Sequence, residues 1–155
     1  MAVRLDDLSP SEDLEGITEI RDAEFSELAH VMTSAYAGTV DDEGESAEDA
    51  LAELRKTASG DYGEPLRHAW LAARVDQELA GAVLCTRWRG RPFVAFVFTD
   101  HAWTGRGIAT RLLGAAAARL RSGGEHELTL WVTAANPAVR LYERMGFQEE
   151  ERKHG

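Results

Sequence analysis

Two closely spaced glycines late in the chain are the first residues whose types suggest chemistry. Gly105 and Gly107 follow an apolar segment, residues 93–99, and stand at the start of a helical pattern over 105–121. Glycine lets the backbone approach a ligand closely, and a helix start offers free N–H groups and about half a positive charge. This turn therefore predicts a phosphate site, with a simple glycine-containing turn as the alternative.

A second segment with chemical potential surrounds a predicted helix near the C-terminus. Asn136 and Pro137 are typical of a helix start, and Gly146 is typical of a helix end. Tyr142 lies on the apolar face of this helix, so core packing is the alternative to a chemical role. For Asn136 the alternative is capping of the helix, which is compatible with binding a ligand.

Together the two segments resemble the two signature regions of the GNAT superfamily of N-acetyltransferases. The first signature is an Arg or Gln followed by a glycine turn that opens a helix, and here Thr104 replaces the Arg or Gln before Gly107 and Ala109. The second is an Asn after a strand, then a helix with an aromatic residue four positions before Gly-Phe. It is matched by Asn136, Tyr142 and the pair Gly146 and Phe147.

The resemblance implies acetyl-CoA as the cosubstrate and assigns residues to it. Val97, Phe98 and Thr99 would lie along the pantetheine arm and pair with its amides through their backbone. Asn136 would contact the cosubstrate near its thiol, and Tyr142 would be the general acid that protonates the leaving thiolate. The pyrophosphate would be bound by the backbone N–H groups of a loop that we call the phosphate loop: Gly105, Arg106, Gly107, Ile108, Ala109 and Thr110.

The implied reaction is acetyl transfer to a primary amine by direct attack in a ternary complex. Many family members carry a glutamate base on one of the two central strands. Here those strands, 93–99 and 127–132, contain a single acid, Glu127, at the outer end. A catalytically silent acyl-CoA-binding sensor or interaction domain is therefore one alternative, and acetylation of protein N-termini or lysines is another.

The elements that position these residues are predicted from the hydrophobic pattern. Helices are expected over 25–36 and 46–58, and a strand hairpin over 70–75 and 79–88. A helix between strands 93–99 and 127–132 requires those strands to run parallel. Strand 93–99 is apolar almost throughout, so it is expected to be buried on both faces.

The expected fold class is thus α/β (α+β), with a mixed, mostly antiparallel sheet and helices on both faces. The resemblance implies the GNAT fold, in which the central parallel pair is splayed. Residues 1–15 are expected to form a loose polar arm, and residues 16–155 a single acetyltransferase domain. Ile17–Arg21 is expected to be its first strand.

Composition excludes several function classes. The net charge of −10, from 17 basic and 27 acidic residues, argues against nucleic acid as a partner. Cys85 is the single cysteine and is expected to be a buried apolar residue; with five scattered histidines, no metal is expected. No membrane span or signal peptide is apparent, which favours the cytoplasm. Trp103 and Trp131 are expected to be packing residues and not catalytic ones.

Two further expectations concern partners. Residues 41–49 contain six acids, which favours a cationic amine as acceptor; the alternative is a solvated loop that begins a helix. After Phe147 the chain is short and polar, so an edge of strand 127–132 is expected to lack a partner strand. A homodimer is the favoured cover for that edge, with the N-terminal arm or the C-terminal tail as alternatives.

Overall fold

The computed structural model describes residues 1–8, 14–36 and 46–150, which form a mixed sheet covered by helices on both faces. The elements are β1 (Ala2–Arg4), β2 (Ile17–Glu19), α1 (Phe25–Tyr36), α2 (Ala47–Ala58), β3 (Glu64–Pro65), β4 (Leu71–Val75), β5 (Glu78–Trp88), β6 (Arg91–Thr99), α3 (Ile108–Ser122), β7 (Glu127–Leu130) and α4 (Ala138–Met145). The sheet order is β1-β7-β6-β5-β4-β2, and a short strand, β3, pairs with β5. The parallel pair is β6–β7, and the other paired strands are antiparallel.

Two buried clusters lie on opposite faces of this sheet. Successive side chains of a strand point to opposite faces, and on β5 Leu84 joins the cluster that contains residues of α1 and α2. Its neighbours Val83 and Cys85 join the cluster formed with α3 and α4. None of the helices in the described ranges is long and apolar enough to span a membrane. The predicted mixed sheet with helices on both faces is confirmed.

Local signals explain several element boundaries. At the start of α2, Ser46 Oγ accepts a hydrogen bond from the Asp49 N–H (3.2 Å), and Asp49 Oδ2 accepts one from the Ser46 N–H (3.0 Å). This is the predicted capping box. The β4–β5 turn places Asp76 and Gln77 at φ of 50° and 70°, the left-handed conformation that two-residue hairpins require. Two non-glycine residues therefore adopt the left-handed conformation of this hairpin turn.

Strand β6 is central, as predicted, but it is not buried on both faces. Val94 and Phe98 are buried, whereas Phe93 and residues 95–97 are only half-buried. The physical reason is the short partner strand, because β7 ends at Leu130, two residues earlier than predicted. The parallel pairing therefore covers only Phe93 and Val94 of β6, and beyond it the two strands part.

The expectation of a loose N-terminal arm is wrong for residues 1–8. Strand β1 pairs antiparallel with β7, and Val3, Leu5 and Leu8 are buried in the core. On its other side, Ala2 exchanges backbone hydrogen bonds of 2.9 Å with Gln148. The edge of β7 that suggested a homodimer is therefore covered by the chain itself. The homodimer remains a prediction, but an uncovered edge of β7 no longer supports it.

We expect Leu5→Ala to lower the free energy of unfolding by about 2–4 kcal/mol, because the truncation leaves a cavity in a packed core. Leu5 is only 2% exposed, and its N–H donates to the carbonyl of His126 (2.9 Å). Urea unfolding followed by circular dichroism measures the change. Leu14→Ala is the matched control, because Leu14 is exposed. A change for Leu5→Ala as small as the control's would mean that the N-terminus is not packed in solution.

Candidate active site

An opening between β6 and β7 is the central feature of the candidate site. The Asp100 N–H donates to the carbonyl of Ala80 (2.7 Å), which fixes the alternation of hydrogen bonds along the β5–β6 ladder. By that alternation the backbone groups of Phe98 face β5, and those of Val97 and Thr99 face the opening. Of the three predicted pantetheine contacts, Val97 and Thr99 thus present their backbone to the opening. Phe98 does not, and its side chain is buried towards α1.

The phosphate loop lies just beyond the end of β6, at the start of α3. Gly105 and Gly107 have φ of 78° and 75°, a conformation that favours glycine. Among the described residues, no atom lies within 4 Å of a Cβ added to either glycine, so that part of the chain leaves the space in front of the loop open. The first helical hydrogen bond of α3 runs from the Arg111 N–H to the carbonyl of Gly107 (3.0 Å).

The N–H groups at the start of α3 are left available for a ligand. Those of Ile108, Ala109 and Thr110 precede the first helical bond, and the described part of the chain offers them no acceptor. Such N–H groups at a helix start bind anions. The loop therefore has the geometry of a phosphate site.

Side chains hold the segment before the loop in place. Asp100 Oδ1 accepts from the Ala102 N–H (2.9 Å), and the Thr104 hydroxyl donates to the carbonyl of His101 (3.0 Å). The Arg106 guanidinium lies over the Trp103 ring, 4.9 Å from its centre. Thr104, which stands where the GNAT signature has Arg or Gln, thus orders the segment before the loop. Arg106 is an exposed positive charge between the two glycines, although the chain as a whole is acidic.

Asn136 caps helix α4. Its Oδ1 accepts a hydrogen bond from the Ala138 N–H (2.9 Å), and its backbone carbonyl accepts one from the Val139 N–H (3.1 Å). This side-chain oxygen is therefore engaged by the helix, as the capping alternative expects. The half-buried Asn136 stands in the segment that links β7 to α4.

Tyr142 combines a buried ring with an accessible hydroxyl. The residue is 8% exposed, and its ring meets that of Phe147 edge-on, with centres 5.9 Å apart. In the described part of the chain every buried side-chain polar atom has a hydrogen-bond partner, and the Tyr142 hydroxyl has none, so this hydroxyl reaches solvent. Burial raises the pKa of the phenol. At neutral pH the group is protonated and can donate.

The acid and the thiol that the sequence singles out are both unsuited to catalysis. Glu127 accepts two hydrogen bonds from the Arg91 guanidinium (2.8 and 2.9 Å), which lowers the pKa of its carboxyl. Arg91 also binds Glu150 (2.8 Å), so these charges form a surface network at the outer end of β6. Cys85 is fully buried, and burial raises the pKa of its thiol to about 12.

A cavity of about 320 Å³ lies on the α1–α2 face of the sheet, where β6 and β7 begin to part. The register of β6 against β5 skips Ala95, which forms a bulge there. The extra residue places Phe93 and Phe96, three positions apart, on the same face of the sheet. The cavity, which we call the aromatic pocket, is lined by Glu53, Tyr62, Trp88, Phe93, Ala95, Phe96 and Trp131.

Sequence reasoning missed the aromatic pocket. Trp131, expected to be a packing residue, is 71% exposed and meets the Phe93 ring edge-on at 6.0 Å. Trp103 is half-buried and packs against the core cluster near α3, as expected. The pocket residues come from α2, from the chain that follows α2, from the end of β5, from the middle of β6 and from the residue after β7. No local spacing links them, so the sequence carried no signal of the pocket.

Comparison with known proteins identifies the family. The model of the acetyltransferase (GNAT) family matches residues 22–147, and the chain therefore belongs to this family. The match spans both segments on which the predicted resemblance rests, and it confirms that prediction.

Individual relatives agree with this assignment. A segment of 56 residues is 38% identical to an uncharacterized N-acetyltransferase of Methanocaldococcus jannaschii, covering 36% of this chain and 25% of that protein. The fold is similar to that of the PaiA N-acetyltransferase of Thermoplasma acidophilum, solved with coenzyme A (TM-score 0.69, 21% identity, 89% and 92% of the two chains). It is also similar to an aminoglycoside 6'-N-acetyltransferase of Acinetobacter haemolyticus (TM-score 0.65, 17% identity, 88% and 92%).

Proposed function

We propose that the protein transfers the acetyl group of acetyl-CoA to a primary amine, by direct attack of the amine in a ternary complex. The observation that carries the proposal is the opening between β6 and β7. It has the phosphate loop at one end, backbone groups of Val97 and Thr99 that face it along one side, and the aromatic pocket on the other face of the sheet. Coenzyme A bound to the structurally similar Thermoplasma acidophilum protein supports it.

In this reaction the amine nitrogen forms a bond to the thioester carbon. A lysine-like amine has a pKa of about 10.4, so freeing its lone pair at pH 7 costs about 4.6 kcal/mol. The negative charge that develops on the carbonyl oxygen needs a donor, which a backbone N–H of β6 facing the opening can supply. When the C–S bond breaks, the Tyr142 hydroxyl gives its proton to the thiolate. The proton that the amine nitrogen loses on attack passes to solvent, and the Tyr142 phenolate regains a proton from solvent. The products are the N-acetylated amine and coenzyme A.

The test is amine-dependent release of the coenzyme A thiol. Acetyl-CoA with a ¹³C-labelled acetyl group is incubated with the protein and pools of small amines or of peptides. We expect thiol release above the amine-free rate, with the label appearing in one acceptor by mass spectrometry. Peptide acceptors would indicate protein acetylation instead of small-molecule acetylation. Binding of acetyl-CoA without amine-dependent release would contradict the proposed reaction and favour the acyl-CoA-sensor alternative.

We expect kcat/KM for a cationic acceptor to fall several-fold as the ionic strength rises from about 0.01 M to about 0.15 M, because the screening length shrinks from about 30 Å to about 8 Å. The expectation rests on the acidic segment 41–49. Glu48 and Asp49 lie at the start of α2, whereas Asp41, Asp42, Glu43 and Glu45 lie outside the described residues.

The matched control for this prediction replaces the latter four acids by their amides. The salt dependence of that variant is expected to be flatter. Equal slopes for variant and wild type, or a best acceptor without positive charge, would show that the segment is only a solvated loop.

A further inference from the structure

The aromatic pocket has an unusual composition for a surface cavity. Five of its seven lining residues are aromatic, and Glu53 is the charged residue among the seven. The ring of Tyr62 meets that of Phe96 edge-on at 6.3 Å, and Phe93 meets Trp131 at 6.0 Å. Exposed large apolar side chains that border a cavity are characteristic of binding sites. The walls therefore suit a flat or apolar group.

The carboxylate of Glu53 is held at the wall of this pocket. The Tyr62 hydroxyl donates a hydrogen bond to Glu53 Oε2, and this bond raises the pKa of the phenol to about 12. The ammonium of Lys56 lies 3.6 Å from the other carboxylate oxygen, and the Lys56 side chain is 53% exposed. An exposed ion pair of this kind contributes little to stability, so the cation of a ligand can take the place of the Lys56 ammonium beside Glu53. Glu53 is thus an oriented negative charge beside aromatic faces.

We propose that this pocket binds the acceptor, and that the acceptor is a primary monoamine with an apolar body of aromatic-ring size. The inference rests on the proposed function and names its acceptor class. Glu53 pairs with the ammonium group, and the aromatic side chains contact the body of the molecule. Aromatic faces also attract a cation, so both kinds of wall favour the same ligand.

The same walls disfavour strongly polar acceptors. A polyamine or an aminoglycoside brings several charges or hydroxyls, each of which needs a partner when it leaves water. The pocket has a single carboxylate among its seven lining residues, which is too few partners for several charges or hydroxyls. The volume of about 320 Å³ is at the small end of the usual range for ligand sites, which fits one ring and a short amine chain.

The position of the pocket fits the reaction. Ala95 is the bulged residue of β6, and it lies one position after Val94, the last residue of β6 that pairs with β7. Trp131 directly follows the end of β7. The pocket therefore adjoins the opening through which the thioester must be reached. Glu53 determines specificity here, and Tyr62 positions it.

The test compares three acceptors: 2-phenylethylamine, spermidine and kanamycin. We expect kcat/KM to be highest for 2-phenylethylamine. Glu53→Gln should lower this value by about 10- to 100-fold, mainly through KM, because a charge-assisted contact is lost. Tyr62→Phe should give a smaller rise in KM. Glu78→Gln is the matched control, since Glu78 is an exposed acid at the far end of β5. It should leave the kinetics unchanged.

A binding measurement keeps this inference separate from catalysis. Because Trp88 and Trp131 line the pocket, titration with 2-phenylethylamine should change tryptophan fluorescence, with weaker binding to Glu53→Gln. Faster acetylation of spermidine or kanamycin would overturn the acceptor class and leave the proposed function standing. If millimolar amine caused no fluorescence change while the protein still bound acetyl-CoA, the proposed acceptor class would be overturned too. Amine binding with the predicted preference, but no thiol release, would instead contradict the proposed function.

Discussion

Tyr142→Phe is expected to lower kcat by about 10²- to 10⁴-fold and to leave the affinity for acetyl-CoA unchanged. The substitution removes one hydroxyl, which acts when the thiolate leaves, and general acid catalysis contributes effects of this size. The ring and its edge-on contact with Phe147 are retained. Steady-state kinetics measure kcat, and calorimetric titration with acetyl-CoA measures binding.

Two controls accompany this prediction. The melting temperature of Tyr142→Phe should match that of the wild type, because the hydroxyl has no hydrogen-bond partner in the described part of the chain. The raised pKa of Tyr142 keeps the phenol protonated through neutral and mildly alkaline pH. A Tyr142-dependent loss of kcat should therefore begin only at a pH above the one at which an ordinary tyrosine phenol ionises. Wild-type kcat in the variant, with chemistry rate-limiting, would make Tyr142 a packing residue.

Gly107→Val is expected to abolish the rise in melting temperature that acetyl-CoA produces. A ligand at about 100 times its Kd stabilises a protein by about 2.7 kcal/mol, and this contribution vanishes when binding is lost. The Cβ of residue 107 would project into the open space in front of the phosphate loop. A branched side chain there blocks the approach of a phosphate to the N–H groups of α3.

The control for Gly107→Val must introduce the same backbone strain, that of a branched residue at positive φ. Gly107 has φ of 75°, where a non-glycine residue costs about 1–2 kcal/mol. Gly124, just after the end of α3, has φ of 92°, and a Cβ there also meets no atom of the described residues within 4 Å. Gly124→Val should thus lose similar stability and keep the full acetyl-CoA shift. If folded Gly107→Val also kept the shift, the phosphate loop would have no role in binding.

The parts of the site that lie in one stretch of sequence were predictable. The turn around Gly105 and Gly107 and the helix start at Asn136 depend on backbone conformation and capping, which neighbouring residues determine. The parallel arrangement of β6 and β7 followed from a single crossover helix. These predictions needed no knowledge of distant contacts.

Features that depend on distant pairing were missed. Charged residues interrupt the apolar positions Val3, Leu5 and Leu8, and the partner strand β7 lies more than a hundred residues away. The bulge at Ala95 changes which face the neighbouring side chains occupy, and a run of apolar residues carries no sign of it. The apolar sequence of β6 therefore led to the expectation of a strand buried on both faces. In the structure, part of the apolar surface of β6 lines the aromatic pocket and the opening between β6 and β7.

Hydrogen–deuterium exchange with and without coenzyme A tests the central claim most directly, because it locates the ligand on the backbone. We predict slower exchange for the N–H groups of Val97 and Thr99 and of residues 107–110, which face the opening or begin α3. Exchange in α2 should be unchanged, since the acceptor pocket is not filled by the cosubstrate. Protection confined to other segments, or no protection at saturating coenzyme A, would contradict binding between β6 and β7.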